Sequence, residues 1–323
     1  MKRFFWIVLL LVGVSLFVFN RRELSQKAHK DARYTIGILQ TASHPALDAV
    51  REGFVEAIQQ GLGDDVTFIV QNAQGSVAQA HSLAQQFHAQ RKLDGVLAIA
   101  TPAAQAMSAM EKERPIFIGA VTDPAALGLV YKGSNVCGTR DLINVGAEIE
   151  MMVVLVPEAK TVGLLYTSAE TNSLALVKQM HEELEKRGLQ ATDFTVTGES
   201  DVQAVTELAC RKVDVLLAPT DNTIASAITL VSSVAQKYKK PLIVSDNMLV
   251  AAGPLAARGI DYRASGVQTG NIAVELLQSG RKAADFPIEQ AESSEIFINK
   301  KTAALLNIQI PDGLQVTLVG EEK

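Results

Sequence analysis

The stretch YTIGILQTASHPALDAVREGFVEAIQQ at residues 34–60 decides the fold class of this chain. It begins with an apolar run, continues through a short polar loop and ends in an amphipathic run. Leu47, Val50 and Phe54 recur there at the spacing of one helical face. A short apolar run between turn-forming residues is typical of a strand that is buried on both faces of a parallel sheet. The stretch therefore predicts a strand, a loop and a helix in that order.

The same unit repeats along the chain. Short β-branched runs predict strands at 34–39, 66–70, 95–99, 116–120, 161–166, 190–196, 213–218, 242–245 and 295–298. Amphipathic runs predict helices at 46–60, 76–90, 103–112, 145–155, 173–187, 201–211, 223–238 and 267–277. This alternation predicts a doubly wound α/β fold with right-handed crossovers. Because the pattern restarts near Lys160, we expect two comparable parallel-sheet lobes, with a chain that crosses between them more than once.

The composition excludes several classes of protein. The chain has 323 residues, 48% of them hydrophobic, and a formal net charge of −5, so a folded protein of about two domains is expected. A weakly acidic chain without a basic stripe is not expected to bind nucleic acid. Two cysteines, Cys137 and Cys210, are too few for a disulfide framework or a cysteine zinc site. Each is interpreted as a small buried apolar residue, and a single bridge between them stays open.

The N-terminus differs from the rest of the chain. Residues 4–19 form an unbroken apolar run after Lys2 and Arg3, and at about 1.5 Å per residue the run spans about 24 Å. No small-x-small cleavage site follows, so residues 1–22 are predicted to be an uncleaved anchor, with a cleaved signal as the alternative. Residues 23–33 are predicted to be a linker. The basic residues after the run favour a cytoplasmic chain by the positive-inside rule, which conflicts with the function inferred below.

The loops that follow the predicted strands carry the candidate ligand-binding residues. In open parallel sheets, ligands bind beyond the carboxyl ends of the strands. Hydroxyl, amide and carboxylate side chains occupy these positions in both halves of the chain: Gln40, His44, Thr101, Gln105, Thr122, Asp123, Ser168, Asn172, Ser173, Thr220, Asp221, Asn222 and Asp246. Any one of them alone is most simply a helix cap. Six such loops from two lobes together predict a ligand-binding cleft.

Catalytic and cofactor motifs are missing from the sequence. It contains no GxSxG elbow, no GxxxxGK[ST] phosphate loop, no GxGxxG and no HExxH. We therefore expect no enzyme activity, no cofactor and no metal site.

Seven segments resemble a known family: Gly37-Ile38-Leu39-Gln40, His44-Pro45-Ala46-Leu47-Asp48, Arg51-Glu52-Gly53-Phe54, Thr101-Pro102-Ala103-Ala104-Gln105, Val121-Thr122-Asp123-Pro124, Pro219-Thr220-Asp221-Asn222-Thr223-Ile224-Ala225-Ser226 and Gly259-Ile260-Asp261-Tyr262. They resemble, in order over residues 34–312, the tryptophan/tyrosine-type ABC transporter substrate-binding proteins. The resemblance implies a periplasmic-binding-protein type I architecture, with two lobes, a three-stranded hinge and a ligand closed between them. It also implies a partner permease and ATPase. The chain departs from many relatives because its N-terminal run offers no cysteine for a lipid anchor.

These observations lead to one expected function. We expect the extracytoplasmic, N-terminally tethered, monomeric solute-binding component of an ABC importer, with an amino acid, such as an aromatic one, as its ligand. Lobe 1 is expected at residues 34–138 and 263–290, and lobe 2 at residues 139–262 and 291–323. The alternatives are a membrane-tethered sensory receptor domain and an α/β enzyme.

The roles expected of the site residues follow from the charges of a zwitterion, which needs donors for its carboxylate and acceptors for its ammonium. Ser168, Asn172 and Ser173 would supply the donors. Asp221 and Asp246 would supply the acceptors. The loops of lobe 1 would hold the ligand side chain.

Overall fold

The computed structural model describes residues 32–291 and 293–320, which form two α/β lobes. The predicted anchor at 1–22 and most of the predicted linker lie outside these residues. Among the residues that the structure describes, no helix is long and apolar enough to cross a membrane.

Strands and helices alternate through most of the described chain. The strands are β1 (Tyr34–Gln40), β2 (Val66–Asn72), β3 (Gly95–Ile99), β4 (Ile116–Val121), β5 (Val136–Arg140), β6 (Thr161–Thr167), β7 (Gln190–Val196), β8 (Val215–Ala218), β9 (Leu242–Val244), β10 (Ala256–Ile260), β11 (Ile288–Gln290), β12 (Ser293–Asn299) and β13 (Val316–Val319). The α-helices are α1 (Pro45–Leu62), α2 (Val77–Ala89), α3 (Thr101–Met110), α4 (Val145–Leu155), α5 (Thr171–Lys186), α6 (Val202–Cys210), α7 (Asn222–Ser226), α8 (Ile228–Lys237), α9 (Tyr262–Ser279) and α10 (Lys300–Leu305). All nine predicted strands are present, and the predicted helix at 223–238 is two helices, α7 and α8, divided at Ala227.

Each lobe is built on one sheet. The first sheet has six strands in the order β11-β5-β4-β3-β1-β2, all of them parallel. The second has seven strands in the order β13-β12-β10-β9-β8-β6-β7, and only β10 and β12 pair antiparallel in it. Residues of the central strands β3, β4 and β8 are buried throughout, as expected of strands covered by helices on both faces. The prediction of two doubly wound α/β lobes is confirmed, with the correction that the second sheet is mixed.

The chain crosses between the two sheets three times, after β5, after β10 and after β11. The strand β5 belongs to the first sheet and extends to Arg140, two residues past the predicted lobe boundary at 138. Helix α9 begins at Tyr262 and packs on α1 of the first lobe. The strand β5 escaped prediction because Gly138, at φ 128°, and Arg140 interrupt its apolar pattern.

Helices α1 and α9 pack in close contact through glycines. A Cβ atom on Gly266 would lie 2.2 Å from the carbonyl oxygen of Val50, and one on Gly53 would lie 2.3 Å from that of Arg263. The contacts advance together along both helices, so the helices run parallel. Their first turns therefore lie at the same end of the lobe, which is the end where ligands bind in such sheets.

Both cysteines are buried and free. The bridge that the sequence left open is therefore not formed, and the interpretation of each cysteine as a small buried residue is confirmed.

Candidate functional site

A cavity, called the cleft below, lies where the carboxyl ends of the strands of both sheets meet. It is lined by His44, Ala46, Leu47, Ala100, Thr101, Ala120, Thr122, Asp141, Asn172, Ala218, Pro219, Thr220, Asp221, Asn222, Ile224, Ala225, Val244, Asp246, Leu249 and Tyr262. Loops after β1, β3, β4 and β5 supply the lining from the first sheet, and loops after β8 and β9 supply most of it from the second. The described residues that line the cleft include neither lysine nor arginine.

Eight of the thirteen candidate residues line this cleft: His44, Thr101, Thr122, Asn172, Thr220, Asp221, Asn222 and Asp246. The other five, which do not line it, are Gln40, Gln105, Asp123, Ser168 and Ser173. The strand ends of both sheets thus meet at this cavity, and the candidate side chains divide between those that line it and those that do not.

Gln40 belongs to a hydrogen-bond network inside lobe 1. Its side-chain N–H group donates to Ala42 O at 2.7 Å and to Asp48 Oδ1 at 2.9 Å, and its Oε1 accepts from Arg51 at 2.7 Å. These contacts use its polar atoms to fix the start of α1. Gln105 lies at the rim, where Thr171 Oγ1 donates to its Oε1 at 3.3 Å across the two lobes.

The remaining three candidates, Asp123, Ser168 and Ser173, do not present their side chains to the cleft. Ser173 is fully buried and donates its hydroxyl to Asp221 Oδ2 at 2.7 Å. Ser168 is exposed, and Asp123 Oδ1 accepts from Ala126 N–H at 3.0 Å, which caps a turn. Their polar groups hold the loops around the cleft rather than facing it.

Asp221 lines the cleft, but its carboxylate is already occupied by protein donors. Its Oδ1 accepts from Thr167 Oγ1 at 2.8 Å and from Ile224 N–H at 2.9 Å. Its Oδ2 accepts from Thr167 N–H at 2.6 Å and from Ser173 Oγ at 2.7 Å. These four hydrogen bonds cap α7 and tie it to β6, so the expectation that Asp221 supplies an ammonium acceptor does not fit this geometry.

Two residues that the sequence did not propose, Asp141 and Tyr262, line the cleft where the chain crosses between lobes. Tyr262 Oη donates to Asp141 Oδ2 at 3.0 Å, and Asp141 Oδ1 is buried without a hydrogen-bond partner. Asp141 directly follows β5, so the strand-end rule would have found it had β5 been recognised. Tyr262 ends the segment 259–262, which already carried the family resemblance.

Burial controls the charges at this end of the cleft. Desolvation raises the pKa of Asp141 to about 6 and that of Asp246 to about 7, where the negative charge of Asp141 adds to the effect. Asp246 Oδ1 accepts from Met248 N–H at 2.9 Å. Behind it, the Ser245 hydroxyl contacts both oxygens of Glu148, and burial raises the pKa of that carboxyl to about 8. Two carboxyls in a desolvated cleft, with neither lysine nor arginine among the described residues that line it, are suited to hold a ligand cation.

Four of the cleft-lining side chains carry a buried polar atom without a partner in the described protein. These atoms are His44 Nδ1, Thr101 Oγ1, Asp141 Oδ1 and Asn172 Oδ1. Unpartnered buried polar groups are rare because each one is costly. Their convergence in one cavity indicates a site shaped for a polar ligand.

The apolar part of the lining is made of small side chains. Five alanines and a proline lie in the lining beside four branched residues, Leu47, Ile224, Val244 and Leu249. Ala100 and Ala120, at the ends of neighbouring strands, have φ angles of 72° and 55°. Such left-handed backbone costs energy in residues other than glycine and concentrates at functional sites.

Three polar contacts cross the cleft from one lobe to the other. His44 Nε2 lies 3.4 Å from Asn222 Oδ1, Thr122 Oγ1 lies 3.4 Å from Thr220 Oγ1, and the Gln105–Thr171 contact closes the rim. The lobes are therefore in direct contact, which is a closed arrangement.

The model of a protein family described as ABC transporter substrate binding protein matches residues 35–319. The chain belongs to this family. Members of this family bind solutes for ABC transporters, and the fold of this chain is of the periplasmic-binding-protein type I kind. The resemblance found in the sequence is thereby confirmed.

Two relatives are described by the aromatic amino acid they bind. The chain is 35% identical over 297 residues to a tyrosine-binding protein of Clostridioides difficile, covering 90% of this chain and 86% of the relative. It is also 35% identical to a solved ABC domain from Streptococcus pneumonia in complex with L-Trp, with a TM-score of 0.84, covering 88% of this chain and all of that one.

A third comparison concerns conformation. The ligand-free, open structure of a substrate-binding protein with adhesive properties from Clostridium difficile is 35% identical, and the match covers 90% of this chain and all of that one, but its TM-score is 0.66. At equal sequence identity, the present chain superposes better on the L-Trp complex than on the ligand-free, open structure. That result agrees with the three contacts across its cleft.

Proposed function

We propose that this substrate-binding protein captures an L-α-amino acid with an aromatic side chain in the cleft and presents it to a membrane permease driven by an ATPase. The observation that carries the proposal is the pair Asp141 and Asp246, two buried carboxyls in a cleft whose described lining contains neither lysine nor arginine. A buried charge requires a partner of opposite sign. A ligand ammonium supplies it.

The remaining unpartnered atoms fit the rest of such a ligand. The Thr101 hydroxyl donates to the ligand carboxylate, and Asn172 Oδ1 accepts from a ligand N–H or O–H group. In this proposal the apolar part of the lining, which includes five alanines, packs against the ring, because an aromatic side chain buries a large apolar surface. Relatives that bind tyrosine and tryptophan support this ligand class.

Closure of two lobes on a hinge accompanies binding in this proposal. The chain crosses between lobes three times, and these crossings would act as the hinge. A ligand that contacts both lobes binds the closed state better and therefore shifts the population toward it. We propose an extracytoplasmic location, with residues 4–19 as the membrane tether.

Isothermal calorimetry of the purified full-length protein against the common L-amino acids tests the ligand class. We expect L-tyrosine or L-tryptophan to bind most tightly, with a Kd on the order of micromolar or below. Binding of none of the amino acids would contradict the proposal. For the location, protease added to spheroplasts should digest the chain beyond residue 33, whereas protection would contradict an importer role.

A further inference from the structure

His44 lines the cleft with a ring nitrogen, Nδ1, that has no hydrogen-bond partner among the described residues. Its role, inferred below, rests on the proposed function and on the expectation that the loops of lobe 1 hold the ligand side chain. The ring of His44 is 8% exposed and lines the cleft directly before α1.

Glu170, which does not line the cleft, fixes the orientation of the Asn222 side-chain amide. Glu170 Oε2 accepts from the backbone N–H of Asn222 at 3.0 Å and from its side-chain N–H group at 2.5 Å. Its Oε1 accepts from Thr223 N–H and from Thr223 Oγ1, both at 3.1 Å. A carboxylate surrounded by donors requires the amide nitrogen of Asn222 on its side, so the amide oxygen points away from Glu170.

That amide oxygen determines the tautomer of His44. Asn222 Oδ1 lies 3.4 Å from His44 Nε2, and an oxygen there can only accept. The proton of the neutral ring therefore sits on Nε2. Burial lowers the pKa of His44 to about 4, so the ring is neutral at neutral pH. The other nitrogen, Nδ1, then carries a lone pair, and it is the buried Nδ1 that has no partner in the described protein.

We propose that His44 Nδ1 is a hydrogen-bond acceptor for a donor on the ligand side chain, a phenol O–H or an indole N–H, and that the relay Glu170–Asn222–His44 makes the site select such side chains over phenylalanine. Sites built to hydrogen-bond a donor reject analogues that lack it, because a buried acceptor is otherwise left unpaired. Glu170 does not line the cleft, so it acts as a positioning residue.

Two pairs of ligands test the inference in the full-length protein by calorimetry at about pH 8, where Glu170, whose pKa burial raises to about 7, is ionised. The pairs are L-tyrosine with L-phenylalanine, and L-tryptophan with its benzothienyl-alanine isostere, which lacks the ring N–H. We expect the donor-bearing member of the tighter pair to bind at least about tenfold better than its partner. Equal affinities within both pairs would overturn the inference, whereas failure of all four ligands to bind would overturn the proposed function instead.

Matched variants test whether His44 and Glu170 cause the preference for ligands with a side-chain donor. His44→Asn keeps an acceptor near the position of Nδ1 and should retain the preference, while His44→Leu should reduce it to about twofold or less. Glu170→Gln frees the Asn222 amide to turn and should weaken the preference, which loss of stability alone would not do, since that changes both ligands alike. Retention of the full preference in His44→Leu would overturn the inference.

A direct measurement covers the case in which the His44 variants do not fold. The ¹⁵N shifts of the His44 ring in histidine-labelled wild-type protein report which nitrogen carries the proton. We expect the proton on Nε2 and an unprotonated Nδ1. A proton on Nδ1 would overturn the inference.

Discussion

Tyr262 Oη donates a 3.0 Å hydrogen bond to Asp141 Oδ2, and this contact joins two of the segments by which the chain crosses between its lobes. The bond occupies one oxygen of Asp141 and leaves Oδ1 unpartnered in the cleft. In the proposed function, Tyr262 thus orients the carboxyl of Asp141 toward the ligand. Both groups are buried, so the bond is not weakened by competing water.

Tyr262→Phe removes this bond while keeping the ring. We expect ligand affinity to fall by about 10- to 100-fold, since hydrogen bonds to charged groups contribute about 1.5–3 kcal/mol. Calorimetry with the tightest amino acid measures the change. As a control, Tyr131→Phe alters an exposed tyrosine outside the cleft and should leave affinity unchanged. Wild-type affinity in Tyr262→Phe would show that Asp141 needs no positioning.

Ligand affinity should rise with pH. The folded-state pKa values of Asp141 and Asp246 are raised to about 6 and about 7, so both carboxyls bind protons below neutral pH. An ammonium favours their ionised form. We therefore expect affinity to increase about tenfold or more between about pH 5 and about pH 8. In Asp246→Asn the dependence should flatten, and a flat profile in wild type would refute the assignment.

In the ligand-free protein, the carboxyls of Asp141 and Asp246 should make the free energy of unfolding fall as pH rises. A carboxyl whose pKa is raised on folding contributes stability that is fully present below its unfolded value, near 4, and is lost as pH rises through the folded value. The thermal shift caused by the ligand should consequently grow from acidic to neutral pH, which differential scanning fluorimetry can follow beside the calorimetry.

Asp221→Asn should affect folding more than binding. Asn offers one acceptor oxygen where Asp221 has two, and the four protein donors around it cannot all be satisfied. We expect a loss of about 2–4 kcal/mol in the free energy of unfolding, measured by urea denaturation. Asp123→Asn is the matched control, because Asp123 accepts one hydrogen bond in a surface turn. Unchanged stability with lost affinity would restore Asp221 as the ammonium acceptor.

Gly266→Ala should strongly destabilise lobe 1. The added Cβ would lie 2.2 Å from the carbonyl oxygen of Val50, and a backbone atom cannot move aside as a side chain can. We expect a loss of about 3 kcal/mol or more. Gly198→Ala, at a position with open space around it, serves as the control. Equal unfolding midpoints for the two variants would contradict the close packing of α1 on α9.

The fold was largely predictable because its strands are apolar and short, as at 95–99 and 116–120. Two residues predicted from the strand ends, Thr101 and Thr122, line the cleft. Strand β5 was missed because Gly138 and Arg140 break its pattern, and Asp141 was missed with it. Local spacing finds strands with an uninterrupted apolar or β-branched run, and it does not find a buried strand such as β5 whose run is interrupted by glycine and arginine.

The sequence could not divide the polar loop residues into structural and ligand-facing ones. Gln40, Ser173 and Asp221 have the same chemistry as Asn172 and Asp246, yet their polar atoms are used within the protein. Which atoms remain unpartnered depends on contacts between distant segments, such as Tyr262 with Asp141. Spacing along one chain does not contain that information.

The pairing of a ligand ammonium with Asp141 and Asp246 is the central feature of the proposed site. Calorimetry of the full-length protein should compare the tightest aromatic amino acid with its des-amino analogue, the corresponding arylpropionate. Loss of the ammonium leaves both buried carboxyls without a counter-charge, so we predict at least about 100-fold weaker binding of the analogue. Equal affinity of the two ligands would contradict the account.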